Sequence, residues 1–238
     1  MTNKIEIVSL GAGDPEMITL KALRSLQSAE RIFCPVTRRA GKEVSRSAEL
    51  LLSLGIESQK IEQYYLPMSH NREQTIEIYN QVAMHCIELC EQGQRVAVTA
   101  EGDGGFYSSS QYISEIITQK GGRIERVAGV PAFIECAALA NMHVASGERP
   151  LEVIPSVASA DVILERVAPD AARRANLVLM KLSQSQEAIK EAIKASKDSV
   201  IVHYFENRGT SQEFYTKDTE VILSREFPYF SIIIIEVL

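Results

Sequence analysis

Strand-like and helix-like segments alternate along the first half of the chain, and this order constrains the fold more than any other feature. Short apolar runs such as Ile5–Leu10 are followed by amphipathic segments such as residues 71–92. A βαβα order predicts a mostly parallel sheet covered by helices. The turn at residues 128–131 breaks the pattern, and the segments after it are richer in strands. We therefore predict an α/β protein with two α/β domains, residues 1–127 and residues 128–238, the second with a mixed sheet.

Local patterns predict the bounds of single elements. Asp14 is a good N-cap for a helix predicted from Pro15 to Ser28, because proline suits the first helical position. A short strand that precedes Pro35 is predicted to end there. Near the end of the chain, the apolar residues 221–223 and 229–237 are predicted to form a closing hairpin or meander.

The composition is that of a soluble globular protein, with 45% hydrophobic and 24% charged residues. The net charge of -6 argues against a nucleic-acid partner, because phosphate binding needs a concentrated basic surface. Apolar runs are too short to span a membrane. Four cysteines, together with an N-terminus that lacks a signal pattern, predict reduced thiols in a cytoplasmic protein.

Two predicted strands each end in a loop that contains glycines and an aspartate. The first loop is Gly11-Ala12-Gly13-Asp14-Pro15, and the second runs from Glu101 to Ser109 with three glycines around Asp103. In an open α/β sheet, ligands bind beyond the carboxyl ends of the strands, and glycine lets the backbone approach them. The loops therefore predict an enzyme cleft with two occupants. A plain strand–helix turn, with Asp103 or Ser108 as N-cap, is the alternative for the second loop.

Other site patterns fit the sequence poorly. The third glycine of a dinucleotide-binding loop would fall at Glu16, which would place a carboxylate where the pyrophosphate sits. The chain lacks the P-loop pattern, H-E-x-x-H and G-x-S-x-G, and its cysteines form no metal signature. We therefore expect no metal site.

Several segments resemble the signatures of one family. Leu10–Ala22 resembles the opening signature of the tetrapyrrole methylases, the S-adenosylmethionine-dependent enzymes of cobalamin and sirohaem synthesis. Gly102-Asp103 with Phe106-Tyr107-Ser108 resembles the second signature, and residues 129–133 resemble the third. The resemblance covers nearly the whole chain in order. Three later segments are similar to the branch that methylates C-20 of precorrin-2: residues 147–155, 179–181 and 228–232.

The resemblance implies two α/β domains with an active-site cleft between them, usually in a homodimer, with S-adenosylmethionine as cofactor and a tetrapyrrole as substrate. The first loop, with Gly11, Gly13 and Asp14, would face the tetrapyrrole. Asp14 is the candidate for positioning the substrate or for accepting the proton lost from the methylated carbon. The expected cofactor contacts are Gly102, Asp103, Phe106, Pro131, Ala132, Met180 and Gly209.

Three arginines are candidate contacts for the carboxylates of the substrate, because arginine suits bidentate pairing with carboxylates. They are Arg38, Arg39 and Arg72, and a solvated surface patch explains them equally well.

The chain also departs from the family's usual pattern. Ser9 stands where glycine is usual, and Ala12 and Gly104 stand where proline is usual. Three alternatives therefore stay open: methylation of another tetrapyrrole carbon, methylation of a protein as in diphthine synthase, and non-catalytic binding of a tetrapyrrole or nucleoside.

Overall fold

The computed structural model describes residues 4–39, 42–67 and 72–238. The chain divides into two compact units, Met1–Pro131 and Ala132–Leu238. The sequence predicts the boundary at residue 127. Residues 128–131 group with the first unit, where the backbone N–H of Gly129 donates a hydrogen bond to Asp103.

The first unit is built on a mostly parallel sheet, as the βαβα order predicts. Its strands are β1 (Ile5–Ser9), β2 (Arg31–Arg39), β3 (Lys42–Val44), β4 (Ile61–Tyr65), β5 (Val96–Ala100) and β6 (Ile124–Val127). The parallel strands run in the order β4-β2-β5-β1-β6, and β3 pairs antiparallel with the end of β2. The carboxyl ends of β5, β1 and β6 are therefore neighbours at one edge of the sheet.

Helices cover both faces of this sheet because the buried side chains of its strands alternate between the faces. Ile5 and Ile7 of β1 join one core, whereas Val8 joins the other. The helices on the Ile7 side are α3 (Arg72–Glu91) and α4 (Ser110–Gln119), and those on the Val8 side are α1 (Leu20–Ser28) and α2 (Arg46–Ser53).

Two local predictions for the first unit are wrong. The predicted helix from Pro15 to Ser28 is divided into a 3-10 turn and α1, because the side chain of Thr19 caps α1 separately by accepting a hydrogen bond from Ala22 N. Strand β2 does not end at Pro35. It pairs with β5 only through residues 31–33. Pro35 lies beyond that pairing, so its missing N–H interrupts no hydrogen bond between β2 and β5.

The second unit contains the predicted mixed sheet. Its strands are β7 (Leu151–Ile154), β8 (Asn176–Leu179), β9 (Val200–Glu206), β10 (Phe214–Thr216) and β11 (Ser231–Val237), in the order β10-β9-β11-β8-β7. Strands β7 and β8 are parallel and the other pairs are antiparallel. Its helices are α5 (Ala132–Leu139), α6 (Asp161–Val167), α7 (Gln186–Ser196) and α8 (Thr219–Ser224).

The predicted closing hairpin is wrong. Residues 221–223 lie in α8, because Asp218 caps this helix by accepting hydrogen bonds from Glu220 N and Val221 N. Strand β11 pairs instead with β9 and β8, which lie far back in the sequence. No helix among the described residues is both long and apolar enough to cross a bilayer.

Candidate functional site

The two Gly-Asp loops are joined directly by backbone hydrogen bonds. Gly11 N donates to Gly102 O at 3.1 Å, and Gly102 N donates to Gly11 O at 2.7 Å. Both glycines have positive φ, 75° and 68°, a conformation that other residues adopt at a cost. The loops follow β1 and β5, which are adjacent parallel strands. They therefore form one structure at the carboxyl edge of the sheet.

The third signature loop packs against this pair. A Cβ atom on Gly129 would lie 2.5 Å from the Cβ of Ser9 and 2.7 Å from the carbonyl oxygen of Gly102. Only glycine fits at this position without displacing backbone. The loops after β1, β5 and β6 thus meet at one point, which we call the loop junction: Ser9, Gly11, Gly102, Asp103, Gly104 and Gly129.

The carboxylate of Asp103 holds the junction together. Its Oδ2 accepts a hydrogen bond from Gly129 N at 2.8 Å, and its Oδ1 accepts one from Gly105 N at 2.8 Å. The second bond closes a local turn of the kind that aspartate side chains often make. Sequence reasoning assigned this carboxylate to the cofactor, whereas both of its oxygens are engaged by the protein's own backbone. Asp103 does not cap α4. The N-cap position is Ser109, which makes no side-chain capping bond, and the hydroxyl of Ser108, the other candidate, accepts a hydrogen bond from Ser110 N at 3.3 Å.

Asp14, the candidate proton acceptor, caps the 3-10 turn that follows the first loop. Its Oδ1 accepts a hydrogen bond from Glu16 N at 2.9 Å, and its side chain is half-buried. Gly13, with a φ of 115°, lets the chain turn just before it. Asp14 therefore has a fixed orientation, and a structural role accounts for the carboxylate by itself.

In the second unit, the predicted cofactor residues lie at the ends of elements. Met180 directly follows β8, and its backbone N–H donates to Ile154 O at 3.0 Å. Gly209, with a φ of 69°, lies in the loop between β9 and β10. Ala132 is the first residue of α5. Each is half-buried, so each leaves part of its surface accessible.

Sequence reasoning missed a buried charged cluster beside Gly209. The guanidinium of Arg208 pairs with Glu135 of α5 and with Glu213, and Glu135 is only 4% exposed. The sequence does contain a sign of this cluster, since Glu135 is a lone carboxylate within the apolar run 132–139. A charge in such a run is rarely buried without an oppositely charged partner. The neighbouring thiol of Cys136 is buried, and this burial raises its pKa to about 12, which disfavours the reactive thiolate at neutral pH.

A second ion pair anchors the start of the same loop. Glu206, the last residue of β9, accepts hydrogen bonds from Arg225 at 2.6 and 3.0 Å and from the hydroxyl of Tyr204 at 2.6 Å. Burial raises the pKa of the Tyr204 hydroxyl above its ordinary value, which keeps it a donor. Ion pairs of Glu206, at the start of the loop, and of Arg208, next to Gly209, therefore hold this loop in place.

Other predicted site residues are placed only in part. Arg38 and Arg39 end β2 and Arg72 begins α3, but the side chains of these three arginines lie outside the described residues. Phe106 is half-buried and packs edge-on against Tyr107, with ring centroids 5.0 Å apart. Pro131, at the end of the third loop, is half-buried as well. In the described part of the chain, no three metal-ligating side chains come together.

Glycine loops beyond adjacent parallel strands are typical of α/β enzymes that bind a ligand at the edge of the sheet. The family model described as tetrapyrrole (corrin/porphyrin) methylases matches residues 4–221. The chain belongs to this family and is an S-adenosylmethionine-dependent methyltransferase. The family and the enzyme class predicted from the signature loops are therefore confirmed.

Two curated relatives of this chain are named as precorrin-2 or cobalt-precorrin-2 C(20)-methyltransferases. A probable cobalt-precorrin-2 C(20)-methyltransferase of Methanocaldococcus jannaschii is 28% identical over 155 residues, which are 65% of this chain and 65% of that relative. The match thus spans just under two thirds of its length. A precorrin-2 C(20)-methyltransferase of a Sinorhizobium species is 26% identical over 236 residues, covering 96% of this chain and 93% of the relative.

Solved structures share the fold. A cobalt precorrin-4 methyltransferase of cobalamin biosynthesis superimposes with a TM-score of 0.70 at 15% identity, covering 99% of this chain and 95% of that one. A uroporphyrin-III C-methyltransferase of Thermus thermophilus, complexed with S-adenosylhomocysteine, gives a TM-score of 0.64 at 18% identity, covering 98% and 92%. These likenesses confirm the predicted α/β class.

Proposed function

We propose that this chain transfers the methyl group of S-adenosylmethionine to C-20 of precorrin-2 or cobalt-factor II, in cobalamin biosynthesis. The observation that carries the proposal is the loop junction, in which all three signature loops of the family meet at the carboxyl edge of one sheet. The names of the two relatives support the choice of substrate and of carbon.

The loops suit a cofactor that is held largely by backbone groups. Gly102 and Asp103 are half-exposed and Gly105 is exposed, so main-chain atoms of the second loop are accessible to a ligand. The proposed cofactor contacts are Gly102, Asp103 and Phe106 in this loop, Pro131 and Ala132 in the third signature, and Met180 and Gly209 in the second unit. Because the Asp103 carboxylate is already bonded to Gly105 and Gly129, it orients the cofactor by fixing the loop.

When bound, S-adenosylmethionine would supply a methyl group on a positively charged sulfonium. A carbon of the tetrapyrrole would bond to this methyl carbon in line as the carbon–sulfur bond breaks, with S-adenosylhomocysteine as the leaving group. The chain's part is alignment of the two reactants, which contributes as much as roughly 7–11 kcal/mol in well-oriented reactions. This matches loops made rigid by glycine packing and backbone hydrogen bonds. Gly11, Gly13 and Asp14 face the tetrapyrrole, and the carboxylate of Asp14 either positions it or accepts the proton lost from the methylated carbon.

The rest of the proposal concerns the carboxylates of the substrate, and the oligomeric state and location of the enzyme. Arg38, Arg39 and Arg72 pair with substrate carboxylates, since the guanidinium group binds carboxylates in bidentate fashion. The protein works as a cytoplasmic homodimer, in keeping with the family resemblance and with four buried free cysteines.

The test is a labelling experiment. The enzyme is incubated with methyl-labelled S-adenosylmethionine and either metal-free precorrin-2 or cobalt-factor II, and the labelled carbon is mapped by NMR. Label at C-20 is the expected result. Which of the two substrates is methylated faster shows whether the natural substrate already holds cobalt. Label at another ring carbon would move the chain to another tetrapyrrole-methylating activity of the family. Binding of both ligands without transfer would indicate a non-catalytic binder.

Cofactor binding is measured separately by calorimetric titration with S-adenosylhomocysteine. The wild-type protein is expected to bind, and Gly102→Val to bind far more weakly, because valine disfavours the positive φ of this residue. Equal binding by wild type and Gly102→Val would exclude the second loop as the cofactor site.

A further inference from the structure

Ser9 lies at the centre of the loop junction. It is not among the residues predicted to contact the cofactor or the substrate. It is the last residue of β1 and is only 1% exposed. Its Oγ accepts a hydrogen bond from Gly104 N at 2.9 Å and lies 3.5 Å from Oδ2 of Asp103. The hydroxyl therefore contacts the two central residues of the second loop.

Space around this hydroxyl is tightly limited. A Cβ on Gly104 would lie 2.9 Å from Cγ2 of Ile7 and 3.5 Å from Oγ of Ser9. On its other side, the Cβ of Ser9 faces Gly129, where a Cβ would approach to 2.5 Å. Ser9 thus fills the gap between the second and third loops with one small polar side chain.

Two of the three departures from the family's usual pattern, Ser9 and Gly104, are hydrogen-bonded to each other. Proline at position 104 would have no N–H to donate, and glycine at position 9 would have no side chain to accept it. In this chain Gly104 has an N–H in a buried position, and the hydroxyl of Ser9 accepts it. Loss of the hydroxyl would leave a buried donor unsatisfied, so the turn at 102–105 would shift toward another acceptor.

We infer that Ser9 is a positioning residue for cofactor binding, which holds the Gly102–Gly105 turn by accepting the Gly104 N–H and orienting Asp103. This inference rests on the proposed function, because it takes the second loop as the cofactor site. Ser9 acts through the loop and does not itself touch the cofactor.

The test compares Ser9→Ala with Ser114→Ala. Ser114 is a matched control: it is a buried serine of the same unit, whose hydroxyl donates to Gln111 O at 2.9 Å and accepts from Arg126 at 3.0 Å. Both substitutions remove a buried hydroxyl, but only Ser9 contacts the second loop. The dissociation constant for S-adenosylhomocysteine, stability in urea, and amide hydrogen exchange of residues 102–105 are measured for both variants and for wild type.

Ser9→Ala is expected to raise the dissociation constant roughly five- to tenfold, as loss of one buried hydrogen bond implies. It should also raise the KM for S-adenosylmethionine more than it lowers kcat, and speed exchange at 102–105. Ser114→Ala should leave the dissociation constant within about twofold while losing similar stability.

Three outcomes would overturn the inference while leaving the proposed function intact. They are unchanged binding by Ser9→Ala, equal weakening by Ser114→Ala, and weaker binding by Ser9→Ala without faster exchange at 102–105. Absence of binding by the wild-type protein would instead overturn both the inference and the proposed function.

Discussion

The loops of the first unit and the Gly209 loop of the second are held in place by different kinds of interaction. In the first unit, the loop junction uses backbone N–H and C=O groups, one carboxylate and one hydroxyl. In the second unit, charged side chains hold the loop between β9 and β10, through the pairs of Arg208 with Glu135 and of Arg225 with Glu206.

The difference teaches which perturbations each region tolerates. A junction of close backbone contacts has no room for an added carbon atom at Gly129 or Gly104. In an anchor made of buried ions, removing one ion leaves its partner charged in a poorly solvated position. The first region is therefore sensitive to shape, and the second to charge.

Removal of one buried ion is expected to have the largest effect. Arg208→Ala should lower the free energy of unfolding by about 3–5 kcal/mol, because Glu135 stays buried while it loses its ion pair with this arginine. Urea unfolding measures the loss. Arg95→Ala is the control, because Arg95 pairs with Glu30 at 3.8 Å in an exposed position and should cost less than about 1 kcal/mol. Similar costs for the two variants would contradict the charge-based anchor.

Asp14 tests whether a charged side chain in the first unit serves chemistry as well as structure. Asp14→Asn keeps a good N-cap, so stability should change by less than about 0.5 kcal/mol. Loss of the proton acceptor should lower kcat about 100-fold. Turnover of precorrin-2 is the measurement, and a full rate in Asp14→Asn would leave Asp14 with its capping role alone.

The shape sensitivity of the first unit is tested at Gly129. Gly129→Ala should cost about 1–3 kcal/mol, because its Cβ would meet Ser9 and the Gly102 carbonyl. Gly55→Ala is the control, since Gly55 has a positive φ of 77° but open space around its Cβ. Both variants lose stability in urea, but only Gly129→Ala should also weaken binding of S-adenosylhomocysteine. Unchanged binding would show that the junction tolerates added volume.

The smallest effect is a pH dependence in the second unit. His203 is buried on β9, with its Nδ1 3.0 Å from the hydroxyl of Tyr215, and burial lowers its pKa below the ordinary 6.5. Below pH 6.5 the unfolded state therefore binds the proton more readily than the folded state, and stability falls as the pH falls. Glu236, at 3.7 Å from Nε2, opposes this effect.

The measurement is urea unfolding between pH 7 and pH 5 for wild type and His203→Asn. The variant keeps a group that can bond Tyr215 but cannot titrate, so its stability should fall less over this range. An equal fall in both proteins would assign the pH dependence to other groups.

Local sequence patterns predicted most of the first unit. The alternation of apolar residues in β1 is enough to divide its side chains between two cores, and the signature glycines indicated the loops that meet. The same reasoning failed at residues 221–223. An apolar, partly β-branched triplet favours a strand, whereas the capping side chain of Asp218 stabilises a helix there.

The sequence by itself determined the fold class, the family and the loops that carry its signatures, because periodicity and glycine placement act over a few residues. Only the tertiary structure decided what the side chains in those loops do. In the folded chain, backbone amides donate to both oxygens of Asp103. Ser9 bonds Gly104, which is 95 residues away in sequence, and Glu135 pairs with Arg208, which is 73 residues away. Such contacts depend on which strands become neighbours, and no local pattern encodes that adjacency.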